Sequence, residues 1–182
     1  MNIRIISGIF GGRKIQAPDT TATHPMSERV RNAMFNSIGN EIADATVLDA
    51  FAGTGSIGLE ALSRGAQHAT FVEKDRVAQK VLIENITLLG VENTTDIVHA
   101  AVANWLPAYQ GEGFDVIFAD PPYNDTQFST VEKLFSLLKP GGLMVLSHPG
   151  RGEEPTKTGG IVVVDNRSYG NAVLTFYRRE DT

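Results

Sequence analysis

Cysteine is absent from the 182 residues, and that gap removes every mechanism built on a thiolate nucleophile, a cysteine metal ligand or a disulfide. Methylation of pyrimidine carbon 5 by cysteine attack goes with them. Tryptophan occurs once, at Trp105, in a short apolar stretch where a core position is expected rather than a base-stacking platform. The four histidines, His24, His68, His99 and His148, are too scattered for a metal site, so no metal is expected. No apolar run approaches the roughly 18 residues of a membrane span, and Met1 to Phe10 lacks the hydrophobic stretch of a signal peptide. A cytoplasmic protein without a membrane partner is the expectation. An excess of positive charge is missing too, because 16 basic residues against 21 acidic ones leave −5. That argues against a generally basic nucleic-acid glove. The deficit is uneven: Arg4, Arg13, Lys14, Arg29 and Arg31 against Asp19 and Glu28 give residues 1–40 a charge of +3, and the remainder carries −8. Contact with phosphates is therefore expected to begin in the first forty residues.

What is present is an alternation of short β-rich runs with helical stretches. Ile3 to Ile15, punctuated by Gly8, Gly11 and Gly12, reads as a β-hairpin. Ser27 is a plausible N-cap for an amphipathic helix in which Val30, Met34 and Ile38 repeat at helical spacing until Gly39. From Thr46 the pairs are Thr46 to Ala50 with Ser56 to Arg64, Ala69 to Glu73 with Asp75 to Leu89, and Asp96 to His99 with Ala103 to Leu106. Phe114 to Ala119 then precedes a helix from Gln127 to Leu138 that stops at Pro140-Gly141-Gly142. Such alternation means right-handed βαβ units and a parallel sheet. Leu143 to Ser147, Ile161 to Asp165 and Ala172 to Arg178 are strands, the last two too close for a helix between them, so they are expected as an antiparallel pair at one edge. Pro149 to Gly160 reads as a loop, and Tyr169-Gly170-Asn171 as the turn of the final hairpin. The organisation expected is an N-terminal extension of hairpin and helix, residues 1–40, on one α/β domain, residues 41–182.

Two motifs carry chemistry. Val47 to Gly58 is an apolar strand running into a helix through Gly53, Gly55 and Gly58, a literal G-x-G-x-x-G, with Glu73 at the end of the next strand where an acid holds ribose hydroxyls. An adenosine-bearing cofactor follows, but the glycines admit either NAD or S-adenosylmethionine. Asp49, ahead of the glycines, favours the methyl donor, since a carboxylate repels a pyrophosphate and pairs with a methionine ammonium directly or through water. The second motif, Asp120-Pro121-Pro122-Tyr123, emerges from the fourth strand at the carboxyl edge, so both share one crevice. Prolines fix the backbone and donate no N–H, leaving the Asp120 carboxylate and the Pro121 carbonyl as two acceptors for the two hydrogens of a planar amino group. Gripping them favours a pyramidal nitrogen whose lone pair is free to attack a methyl, while Tyr123 offers a face for the target base.

With these residues in place the sequence resembles the class I methyltransferases bearing an N-P-P-Y or D-P-P-Y motif, and more narrowly the bacterial RsmD family, which methylates guanine N2 in 16S ribosomal RNA. The resemblance rests on Arg4 to Gly8 with Gly12 to Ile15, Ser27 to Asn36, Asp49 to Gly55, Phe71 to Asp75 and Asp120 to Tyr123. It implies a Rossmann-like fold with a mostly parallel seven-stranded sheet, an antiparallel C-terminal pair and a hairpin that helps hold RNA of the assembling small subunit. Arg4, Arg13, Lys14 and Arg31 are the RNA contacts it suggests. It also implies that the stretch holding Ser27 and Arg29 closes over the methionine end of S-adenosylmethionine, with Asp49, Ala50, Gly53, Thr54, Gly55, Glu73, Lys74 and Asp120 around the cofactor. Two departures are visible. Thr23-His24-Pro25-Met26 replaces the family's usual Arg-Pro-Thr, and Ala101 stands where relatives often carry an acid, leaving backbone groups such as the Val102 N–H to read adenine.

The expected enzyme is thus a monomeric S-adenosylmethionine-dependent RNA (guanine-N2)-methyltransferase. Its rivals are a DNA adenine-N6 or protein glutamine methyltransferase, an NAD-dependent oxidoreductase, and a noncatalytic RNA-binding assembly factor, against which the intact Asp120 to Tyr123 motif speaks.

Overall fold

Alternation of side chains along each strand decides the layering. In the computed structural model, which describes residues 2–18, 25–150 and 154–181, Val47, Val116, Phe118, Val145 and Phe176 face one side of a sheet. Their neighbours Leu48, Ile117, Met144, Leu146 and Tyr177 face the other. Both faces are therefore covered, as a mainly parallel sheet requires. The elements are β1 (Asn2–Arg4), β2 (Lys14–Gln16), α1 (Glu28–Ile38), β3 (Thr46–Asp49), α2 (Ser56–Ser63), β4 (His68–Val72), α3 (Arg76–Leu89), β5 (Thr95–Val98), α4 (Val102–Trp105), β6 (Phe114–Ala119), α5 (Phe128–Leu134), β7 (Leu138–His148), β8 (Lys157–Thr158), β9 (Ile161–Tyr169) and β10 (Ala172–Arg179). No described helix is long and apolar enough to cross a membrane.

The main sheet runs β5-β4-β3-β6-β7-β10-β9-β8, parallel from β5 to β7 and antiparallel from β10 onward. The seven expected strands are there, including the antiparallel C-terminal pair, and the two-residue β8 adds an eighth at the edge. The Thr23-His24 approach and the start of the 149–160 segment lie partly outside the described residues. One boundary moves: the helix expected to run to Leu138 ends at Leu134, passes through a tight turn at Phe135–Leu137, and Leu138 already pairs with Phe114. Burial of Leu138 against the core outweighs the helical pattern, and Pro140-Gly141-Gly142 bulges the strand instead of ending a helix.

The described residues of the first forty lie over α2, every residue of which is buried. β1 pairs antiparallel with β2 through Ile3 and Ile15. The turn between them is fastened to the end of α2: the Ile9 N–H donates to the Ser63 carbonyl (2.9 Å), the Phe10 N–H to Ser63 Oγ (2.9 Å), and Ser63 Oγ to the Ser7 carbonyl (2.6 Å). Gly8 makes this approach at φ +87°, where a Cβ would come within 1.9 Å of the Ser63 oxygen. Buried Asn85 on α3 stitches the other strand, accepting from the Gln16 N–H (2.8 Å) and donating to the Gln16 and Thr54 carbonyls (2.9 and 3.0 Å).

Beneath the arm sits a buried charge cluster. Glu60 accepts from the Ile6 and Ser7 N–H groups (2.9 and 3.1 Å), from Arg64 Nε (2.8 Å) and, more distantly, from Arg31 Nε (3.4 Å). Arg31 also donates to the Arg4 carbonyl. Burial pulls the Arg31 guanidinium below its ordinary pKa while Glu60 pulls it back. Truncating Glu60 leaves that cation buried without its counter-charge, a change that costs about 3–5 kcal/mol in comparable pairs. Glu60→Ala is expected to lower the melting temperature by roughly 6–20 °C, read by thermal denaturation. A shift under 3 °C would show that the cluster relaxes without loss.

Candidate active site

The sheet order reverses at β3, whose neighbours are β4 on one side and β6 on the other, and ligands of open α/β sheets bind at such a point. There the carboxyl ends of β3, β4, β6 and β7 open into one cavity of about 820 Å³, within the range of small-molecule sites. Its rim is completed by Pro25 to Ser27 before α1, Ala100 to Val102 before α4, and Tyr169, Asn171 and Ala172 of the last hairpin.

Each glycine of the turn after β3 has its own physical reason. Gly53 lines the cavity at φ +58°. Gly55, at φ +88°, caps α2, and a Cβ there would meet Leu82 Cδ1 at 2.5 Å. A Cβ on Gly58 would meet the Phe71 ring at 2.3 Å, so this glycine lets α2 lie close on the sheet. Glu73 braces the turn from the end of β4: Oε1 accepts from the Gly53 N–H (2.7 Å) and Oε2 from the Asp75 N–H (2.8 Å). Asp49 lies beneath the turn rather than on the cavity wall. Its Oδ2 accepts from the Gly58 N–H (3.0 Å), tying β3 to the first turn of α2, and its buried Oδ1 has no partner among the described residues. Burial pushes this carboxyl well above its ordinary range, Gly58 opposes the shift, and the nearby Asp120 and Glu73 add to it.

Asp120 leaves β6 half-buried in the cavity with Pro121, Pro122 and Tyr123. The Pro122 carbonyl accepts from the Asp125 N–H (2.9 Å), turning the chain back at once. Burial raises the Asp120 carboxyl to about 7, with a hydrogen bond from Ser147 opposing. The Ser147 hydroxyl also lies 2.9 Å from Tyr123 Oη, so one side chain steadies both the acid and the ring, which is 37% exposed.

Of the residues expected around a cofactor, Ser27, Ala50, Gly53, Thr54, Glu73, Lys74, Ala101, Val102 and Asp120 share this cavity. Asp49 and Gly55 are packed behind it, and Arg29 is exposed on α1 away from the lining. Among the residues expected at RNA, Arg13 and Lys14 are exposed, Arg13 donating to the Leu88 carbonyl (2.9 Å). Arg4 is exposed and paired with Glu28 (2.6 Å). Arg31 requires correction: it is fully buried on Glu60 and presents nothing to a surface ligand. Sequence reasoning missed Ser147 and Gln127. Ser147 is a polar residue closing an apolar strand at the same sheet edge as Asp120, the signal that would have found it. Gln127 adopts φ +47° at the start of α5, a left-handed conformation that sequence alone does not reveal. Tyr169 and Asn171 serve the turn, as expected, and line the cavity as well. No group of three or more potential metal ligands occurs among the described residues.

The model of a family described as conserved hypothetical protein 95 matches residues 3–178. A Bacillus subtilis (strain 168) protein provisionally named an rRNA methyltransferase, YlbH, is 32% identical over 182 residues, covering 97% of this chain and 99% of its own. The ribosomal RNA small subunit methyltransferase D of Escherichia coli (strain K12) is 39% identical over 140 residues, 77% of this chain and 68% of that one. A solved structure of an Escherichia coli protein provisionally named a methyltransferase superposes with a TM-score of 0.89 at 32% identity, covering both chains fully.

The raised carboxyl of Asp120 has a consequence for stability. Folded, it keeps its proton up to about 7, whereas an ordinary aspartate loses it near 3.8. Stability is thus lost progressively as pH rises from about 4 to 7 and stays lower above. Asp120→Asn removes the ionisable group, so the variant is expected to melt above the parent protein at pH 8 and together with it at pH 4. Equal melting temperatures at both pH values would show that the carboxyl is not strained.

Proposed function

The chain belongs to the RsmD family, that of conserved hypothetical protein 95, and on that premise we propose that it methylates the exocyclic N2 of a guanine in 16S ribosomal RNA with S-adenosylmethionine as donor. The observation that carries this reading is the meeting of the glycine turn and the Asp120 to Tyr123 motif in one cavity.

The residues present fit the donor. Asp49, Glu73 and Asp120 gather three carboxyl groups around the turn, and Asp49 Oδ1 is a buried acceptor without a donor. That field favours a cationic sulfonium and ammonium and disfavours the pyrophosphate of NAD. Each Glu73 oxygen keeps a lone pair for a ribose hydroxyl. Ser27 Oγ accepts from the Val30 N–H (3.2 Å), leaving its own hydrogen for the methionine carboxylate. The Val102 N–H, in the first turn of α4, has no intrahelical acceptor and is left for adenine.

When bound, S-adenosylmethionine supplies an electrophilic methyl group. The protein's part is to hold the acceptor. Asp120 as the carboxylate and the Pro121 carbonyl take the two N–H bonds of the guanine amine, turning its lone pair out of the ring. Tyr123, fixed through its hydroxyl by Ser147, supports the base. With a carboxyl near 7, Asp120 is also suited to accept the proton released by nitrogen. Residues 1–40 serve as the extension that presents Arg13 and Lys14 to RNA and brings Ser27 to the donor. The working unit is a monomer in the cytoplasm, acting on the assembling small subunit.

Radiolabel transfer from S-adenosylmethionine to small subunits from unmethylated cells, followed by nucleoside identification, is expected to give N2-methylguanine. Label on N6-methyladenine or on protein would replace this reading with one of its rivals. Asp120→Ala is expected to lower transfer at least about 100-fold while S-adenosylhomocysteine binding stays within a few-fold. In the unsubstituted enzyme kcat/KM is expected to rise with pH through about 7 as Asp120 ionises.

A further inference from the structure

The chain is acidic, yet its unneutralised cations are not spread evenly. Among the described residues six cations have a carboxylate: Arg4 has Glu28, Arg31 and Arg64 share Glu60, Lys139 has Asp115, Arg167 has Asp165, and Arg178 has Glu41. Among the described residues, those left without such a partner are Arg13, Lys14, Arg29, Lys74, Arg76 and Lys80, with Lys133 and Arg179 elsewhere. Lys74 lines the cavity. Arg76 opens α3, and Lys80 follows one turn later on the same exposed side. The carboxylates beside them are already engaged by backbone, Glu73 by the Gly53 and Asp75 N–H groups and Asp75 by the Ala78 N–H (2.8 Å). At its far end α3 meets the hairpin, where Arg13 donates to the Leu88 carbonyl. From Arg76 to Leu88 the helix advances roughly 18 Å, with exposed Glu84 as the acid between the two basic ends.

We propose that the outer face of α3 is an RNA-binding surface, on which Lys74, Arg76 and Lys80 hold phosphates of the strand running from the cavity toward Lys14 and Arg13. The inference rests on RNA being the substrate, and it assigns a track that the hairpin alone does not provide. It also bears on how a chain of net charge −5 binds a polyanion: ion pairing engages most cations elsewhere, whereas along this strip Arg13, Lys14, Lys74, Arg76 and Lys80 outnumber Glu73, Asp75 and Glu84.

The test is a salt titration of binding to unmethylated small subunits and to protein-free 16S rRNA. Arg76→Gln with Lys80→Gln is expected to reduce the slope of log affinity against log salt by about 2, near 1 per lost phosphate contact, on both ligands. Lys133→Gln with Arg167→Gln, the same change of charge elsewhere, leaves the slope unchanged. Glu84→Lys tightens binding and steepens the slope, a gain that misfolding cannot imitate. Binding of S-adenosylhomocysteine stays the same throughout. An unchanged slope for the α3 pair while the unsubstituted protein binds RNA overturns the proposal alone, and so does an effect confined to assembled subunits, which would point to a ribosomal protein. No binding of the unsubstituted protein to either ligand overturns the RNA reading itself.

Discussion

Glu60 is the interaction on which the arrangement turns. A single buried carboxylate receives two backbone N–H groups of the N-terminal arm, a guanidinium from α1 and another from its own helix. Each of these would be costly to bury alone. Together they fix the arm, α1 and α2, of which the arm and α2 also share the hydrogen bond from the Ile9 N–H to the Ser63 carbonyl. Because α1 is pinned through Arg31, its N-cap Ser27 is delivered to the cavity rim, some distance from the charge that holds it.

The cavity works by the opposite principle. Glu60 is saturated with donors, whereas Asp49 Oδ1 lacks one and Asp120 is held near neutrality. A site with unmet acceptors carries a preference for positive charge.

Much of this was legible in the residues. The glycine turn, the strand ending at Asp120 and the antiparallel tail follow from local pattern, since strands buried on two faces and helices on one leave different periodicities. For Asp49, sequence marks an acid at a strand end but not the Gly58 N–H from which its Oδ2 accepts. Arg31 misled for a similar reason. It sits in a basic segment, and only the tertiary fold reveals Glu60, 29 residues later, as its partner. Ser147 and Gln127 escaped because a short polar side chain and a left-handed dihedral acquire meaning only from what surrounds them.

The strap of the N-terminal arm over α2 carries a timing consequence. Its partners lie far downstream: Glu60 is 54 residues from Ile6, and Asn85 is 69 from Gln16. At a synthesis rate of about 5–20 residues per second, roughly 3–14 seconds pass after Gln16 leaves the ribosome before Asn85 follows it out. Through that interval Ile3, Ile5 and Ile15 have no core to enter, although all three end up buried. The arm is thus made well before the helices that secure it, and it needs shelter from its neighbours until α2 and α3 arrive.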